Sequence, residues 1–259
     1  MSTLRLLLAL GLSASIAPSA WGFITTVHPS ITLATLEYPP FCESKRPDGG
    51  ALVSIVREAF AQEDIRVNVT VMPWQRVIAL NHHSRFDGVI GIWRTDQKNM
   101  QLQPGNPVFQ SLIGAYVVRG KAPLPLPMSW LPGRLAGTVA GYQYPESMLK
   151  LKMELDSTRD DETNLRKLQQ QRIQLAITEK AVGDALIRSG KLPTRPQLAW
   201  GELVLGKEVI SVGFAANPMQ SFWRTAFNRG LWKLHQNGRY QQIAAAYQLQ
   251  EFAMPPQQP

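Results

Sequence analysis

Between Ile31 and Trp93 the chain switches back and forth between two hydrophobic periods, and this alternation restricts the fold more than any other feature of the sequence. Ile31-Thr-Leu-Ala-Thr-Leu36 alternates and is rich in β-formers, which predicts a strand. Glu37 to Gly50 carries Pro39, Pro40, Pro47, Gly49 and Gly50 and predicts a loop. Leu52, Ile55, Val56, Ala59 and Phe60 fall at helical spacing, predicting a helix from about Ala51 to Gln62. Val67 to Val71 is a second strand, Pro73 opens a helix that runs to about Asn81, and Asp87 to Trp93 is a short apolar run of the buried parallel kind. The order β-α-β-α-β argues for an α/β domain with a parallel sheet. Ligands of such sheets bind beyond the carboxyl ends of the strands. Those ends are Glu37 to Phe41, Met72 to Arg76 and Trp93 to Lys98, so three loops converge on one edge.

A second set follows. Leu112 to Val118 predicts a strand, and the proline-dense KAPLPLPMSWLPG at 121–133 an extended connector. Strands are predicted at Leu135 to Val139 and Ile173 to Ile177, with a turn at Ala140-Gly141-Tyr142. Helices are predicted at Tyr144 to Leu155, Glu162 to Gln171 and Glu179 to Arg188. Glu202 to Val204 and Val209 to Ala215 look like strands returning to the first set. Phe222 to Gln236 is the clearest amphipathic helix; Gly238 ends it and a final helix spans Tyr240 to Tyr247. The chain is therefore expected to form two α/β lobes, 23–118 with 205–250 and 119–204, with a cleft between them and a disordered tail at 251–259.

The first 22 residues have a positive start at Arg5, a short apolar run from Leu6 to Leu12, and the small-x-small triplet Ala20-Trp21-Gly22. This pattern predicts a cleaved export signal and a periplasmic location, with an uncleaved anchor as the alternative. Cys42 is the only cysteine, so an intrachain disulfide and a thiolate-rich metal site are excluded. The formal charge of +8 becomes +7 without Arg5, and the basic residues are scattered, which argues against a nucleic-acid partner.

The sequence holds no G-x-S-x-G, H-E-x-x-H, P-loop or G-x-G-x-x-G motif. His82 and His83 are adjacent at a predicted helix end, where their side chains point apart. No catalytic set, metal site or cofactor is predicted. The loop ends suit recognition better. Tyr38, Phe41, Trp74 and Trp93 are aromatics there, and Arg76, Arg94 and Lys98 are cations in the same loops. Such a set fits a small ligand with an apolar or cationic part and a carboxylate. The alternative is that the aromatics are core and the cations solvated.

Several stretches together give a resemblance. EYPPF at 37–41, MPWQRVIALN at 72–81, RFDGVIGIWRTDQK at 85–98, RLAGTVAGYQYPE at 134–146, LQQQRIQLAITEKAV at 168–182 and the helix pair at 217–247 resemble, in order and spacing, family 3 periplasmic solute-binding proteins. These are the polar amino-acid-binding components of ABC transporters. The resemblance implies a two-lobe, type II clamp, each lobe a mostly parallel sheet flanked by helices, working as a monomer with transporter membrane subunits. It implies that Tyr38 stacks on the ligand, with Phe41 at the cleft edge and Trp74 lining it. It places Lys98 where the family carries a carboxylate-clamping arginine, Gly141-Tyr142 where lobe two offers backbone donors, and Glu179 where an acid holds the ligand amino group. Lysine lacks the bidentate fork of arginine, so Arg94 or Arg76 is an alternative anchor. A dehydratase-like enzyme acting on small carboxylates on the same scaffold and a sensor acting in trans are the other functions this fold suggests.

Overall fold

The computed structural model describes residues 28–81 and 85–259; the predicted export signal and the His82-His83 pair lie outside them. The expected alternation is present. Strand β1 (Ser30–Thr35) leads through a proline-rich loop to helix α1 (Ala51–Ala61), then to β2 (Arg66–Val71), α2 (Trp74–Asn81) and β3 (Gly88–Ile92). β1 pairs parallel with both β2 and β3. All five residues of β3 are buried, as its unbroken apolar run requires of a central strand.

Trp93 to Lys98, expected as a loop, is instead a short helix, α3 (Arg94–Asn99). The Asp96 carboxylate accepts the Trp93 backbone N–H at 3.0 Å, satisfying one donor at the start of the helix. A two-residue strand β4 (Gln103–Pro104) follows, and then β5 (Phe109–Val118), β6 (Leu135–Val139), helix α4 (Glu146–Leu149) and β7 (Glu154–Thr158). The helix expected over Tyr144 to Leu155 is therefore cut to one turn. Glu154 onwards pairs parallel with β6, and the resulting polar edge strand overrides the local helix preference. α5 (Asp161–Gln169), β8 (Leu175–Glu179) and α6 (Lys180–Arg188) complete that half.

The two expected return strands are one, β9 (Leu198–Phe214), 17 residues long. Its last residues, Ser211 to Phe214, pair with β3, while Leu198 to Ile210 pair antiparallel with β5, whose Ile113–Tyr116 stretch in turn pairs with β8. The strand order is β2-β1-β3-β9-β5-β8-β6-β7, with β4 also on β9. The β5–β9 ribbon thus joins two α/β halves, with its register broken around Gly114.

Helices α7 (Gln220–Gln236) and α8 (Arg239–Ala246) close the chain over the first half. Residues 251–259, expected to be disordered, are tied down: Ala253 bridges to Phe109, the Met254 N–H donates to the Tyr240 hydroxyl at 3.0 Å, and Asn106 donates to the Gln257 and Gln258 carbonyls. Apolar periodicity carries little signal for a segment held by backbone bonds and the one buried ring of Phe252. Among the described residues no helix is long and apolar enough to cross a membrane.

Candidate ligand-binding site

The carboxyl ends of β1 and β3 and the start of α2 bring Tyr38, Trp93 and Trp74 together, as the strand order demands. A tight turn, with the Tyr38 N–H bonded to the Cys42 carbonyl at 2.8 Å and the reverse bond at 2.9 Å, fixes Tyr38. Phe41 lies behind it, fully buried, its ring 5.4 Å from Tyr38 and 5.3 Å from Phe109. Phe41 is thus core support for the wall. From the other half, the turn after β6 supplies Tyr142, whose ring is 5.5 Å from that of Trp93. Tyr144 packs beside both, and its hydroxyl accepts the Val139 N–H at 2.9 Å.

Leu36, Tyr38, Trp74, Gly91, Trp93, Asp96 and Tyr142 line a narrow cavity of about 10 Å³. The halves touch around it through side chains that face each other across the gap. The Trp74 indole N–H donates to the Gly141 carbonyl at 3.2 Å, the Thr95 hydroxyl to the Gln143 carbonyl at 3.2 Å, and the Asn99 amide to the Gln143 side chain at 2.9 Å. The Trp93 indole N–H is shared between Glu179 Oε1 at 2.8 Å and the Tyr38 hydroxyl at 3.3 Å.

Three acids surround this arrangement. Glu179, at the end of β8, is 2 % exposed, and its Oε2 has no hydrogen-bond partner. Burial, and after it the nearby Glu208, pushes its pKa well above the usual carboxylate range. Asp96 is pushed up to about 6 by burial, against the opposing pull of the Trp93 N–H. Asp161 is likewise raised to about 6 by burial, and its Oδ2 accepts the Tyr142 hydroxyl at 3.3 Å. Among the described residues none of the three has an ion-pair partner.

The three predicted cations are elsewhere. Arg76, Arg94 and Lys98 are exposed and none lines the cavity. The helix at 94–99 explains two of them: Arg94 and Lys98, four residues apart, share one face, and Asp96 between them takes the opposite one. A loop would leave all three side chains free to turn inward; a helix sends the cations out and the acid in. Gly141, at φ +87°, places its carbonyl towards Trp74, and the Tyr142 N–H is bonded within the turn to the Val139 carbonyl at 3.3 Å. Of the ten residues predicted from sequence, Tyr38, Trp74, Trp93 and Tyr142 line the cavity, and Phe41, Gly141 and Glu179 contact its walls. Asp96, Asp161 and Gln143 were missed. Helix periodicity at 94–99 is the one sequence signal that points Asp96 inward; Asp161 sits in the run Arg159-Asp-Asp-Glu162 and looks solvated.

A two-lobed α/β fold whose paired halves face each other across an aromatic cavity is that of a clamp-type binding protein. Residues 31–250 match the family model of bacterial extracellular solute-binding proteins, family 3, and the chain belongs to that family. No curated protein matches the sequence. Among solved structures, a histidine kinase sensor domain with similarity to periplasmic binding proteins superposes with a TM-score of 0.76 at 18 % identity, covering 88 % of this chain and 99 % of its own. An ABC uptake transporter substrate-binding protein from Streptococcus pneumoniae with bound histidine gives 0.75 at 16 % identity, covering 87 % and 95 %. The GluR0 ligand-binding core from Nostoc punctiforme in complex with L-glutamate gives 0.71 at 18 % identity, covering 85 % and 99 %. At these identities the likeness establishes the fold, the two-lobe α/β clamp expected from the sequence.

Proposed function

We propose that the chain is a periplasmic solute-binding protein that captures a small polar solute between its two halves and delivers it to an ABC transporter. The observation that carries this reading is the set of cross-cleft hydrogen bonds around one aromatic cavity. Trp74, Trp93, Thr95 and Asn99 come from one half and Gly141, Gln143 and Glu179 from the other, so closing the halves builds the site. A ligand that bridges both walls favours the closed form by its differential contacts. Export by cleavage after the first 22 residues and action as a monomer belong to the same proposal. The alternative of a sensor acting in trans draws support from the likeness to a histidine kinase sensor domain.

The test is a thermal-shift screen of the chain without residues 1–22, followed by scattering measurements with and without the best compound. A bound solute should raise the melting temperature with the logarithm of its excess over Kd and shrink the radius of gyration. A chain that gains stability from no solute in a screen of amino acids, amines, sugars and organic acids would refute solute binding. Co-purification with transporter membrane subunits, as opposed to a membrane kinase, separates delivery from sensing.

A further inference from the structure

We propose that the solute bound in this cleft is an organic cation without a carboxylate, an amine or alkylammonium held among the faces of Tyr38, Trp74, Trp93 and Tyr142. This rests on the solute-binding reading and narrows it. Four aromatic walls with a buried acid among the lining residues form a site that attracts positive charge: the ring faces carry negative potential, and Asp96 adds a carboxylate. Behind Trp93, one oxygen of the Glu179 carboxyl group is buried with no partner, and once ionised it is an acceptor that a bound ammonium N–H would satisfy after the Trp93 and Tyr38 side chains part to admit it.

The donor inventory argues the same way against a carboxylate. Anions need N–H or O–H donors, and three of the four side-chain donors on these rings are already directed at acceptors. Trp74 gives its N–H to Gly141, Trp93 to Glu179, and Tyr142 its O–H to Asp161, which leaves the Tyr38 hydroxyl as the one free donor of the four rings. No described lining residue is cationic, and Arg94 and Lys98 project from the outer face of α3. A carboxylate here would be stripped of water beside Asp96 and the negative faces of the rings; the nearest cation along the wall, Arg159 in the adjoining groove past Trp74 and Tyr142, is solvent-exposed and paired with Asp160 at 2.9 Å.

The same geometry makes binding proton-linked. The groups facing Glu179 are Trp93 and Tyr38 from the first half and Glu208 from β9; its chain neighbour Lys180 is engaged by Asp184 at 2.8 Å and Glu251 at 3.0 Å. Burial raises the pKa of Glu179, and an arriving cation favours its ionised form, so a proton held there leaves to solvent as the amine binds.

The test compares matched pairs on the unaltered chain by calorimetry at pH 7.5: agmatine against L-arginine, phenethylamine against L-phenylalanine, and tetramethylammonium alone. At least one amine should bind about tenfold or more tighter than its amino-acid partner, the difference expected of one desolvated cation–π contact with no matching carboxylate anchor. Glu179→Gln should weaken that amine about tenfold and abolish the proton release, seen as loss of the dependence of binding heat on buffer ionisation. Amino acids binding more tightly than their amines would overturn the inference and leave solute binding intact. No binding by any member, with no response to sugars or organic acids either, would overturn both. Since the pairs are read on the wild-type chain, the result does not depend on the variant folding.

Discussion

Glu179→Gln also makes a prediction about stability that can be worked through. In the folded state burial, with Glu208 adding to the effect, raises the pKa of Glu179, whereas an unfolded glutamate gives up its proton above about pH 4.3. Its stabilising contribution is therefore fully present below the unfolded pKa and is lost as pH rises through the raised folded pKa. Between those two values the folded state carries one proton more than the unfolded state, and stability falls by about 1.4 kcal/mol per pH unit. For a chain of this size that slope corresponds to roughly 3–6 °C of melting temperature per pH unit. Glutamine does not titrate, and its carbonyl can still accept the Trp93 indole N–H now bonded to Glu179 Oε1 at 2.8 Å. Its amide occupies the place of the unpartnered Oε2, a pH-independent cost of about 1–3 kcal/mol. Asp96 and Asp161 titrate in both proteins and cancel in the difference. Melting curves of both proteins at half-unit steps from pH 4.5 to 7.5 should show the wild type losing ground to the variant as pH rises. Parallel curves would mean that Glu179 is ionised in the fold, and the reasoning about its burial would fail.

Trp93→Phe removes the N–H shared by Glu179 and Tyr38 while keeping an aromatic wall; denaturant unfolding should show a loss of about 2–4 kcal/mol, from the orphaned acceptors plus the smaller ring. Arg94→Ala combined with Lys98→Ala should leave amine affinity within about twofold by calorimetry, because rim charges on an exposed helix face contribute little; a tenfold loss would show that one of them reaches the solute. Gly230→Ala should cost about 2–3 kcal/mol or more by the same unfolding assay, since the added Cβ would meet the Ala59 carbonyl oxygen at 1.9 Å where α7 crosses α1.

The two hydrophobic periods made β1, α1, β2, α2 and β3 legible to within a residue or two, since each turns an apolar face or run towards the core, β2 through its half-buried valines. They failed where pairing partners, and not side-chain pattern, decide the element. β7 is polar and exists because β6 offers it an edge, and β9 is continuous because β5 pairs along most of its length. The aromatic half of the site was legible for the same reason as the strands, because strand ends in a parallel sheet converge at known places. The charge of the site was not. Arg94, Asp96 and Lys98 stand within five residues, and their composition alone favours a basic loop; six residues of helix reverse its meaning by turning Asp96 into the cavity and both cations to solvent. Glu179 has Trp93 of the other half against it, and Asp161 has Tyr142 of its own half, contacts between residues far apart in sequence that leave no local signature. Side-chain direction, which residue identity does not give, is thus what the proposed preference for a cation rests on, and on that proposal an exchange of Asp96 for a cation should reverse the preference more directly than any change at Lys98.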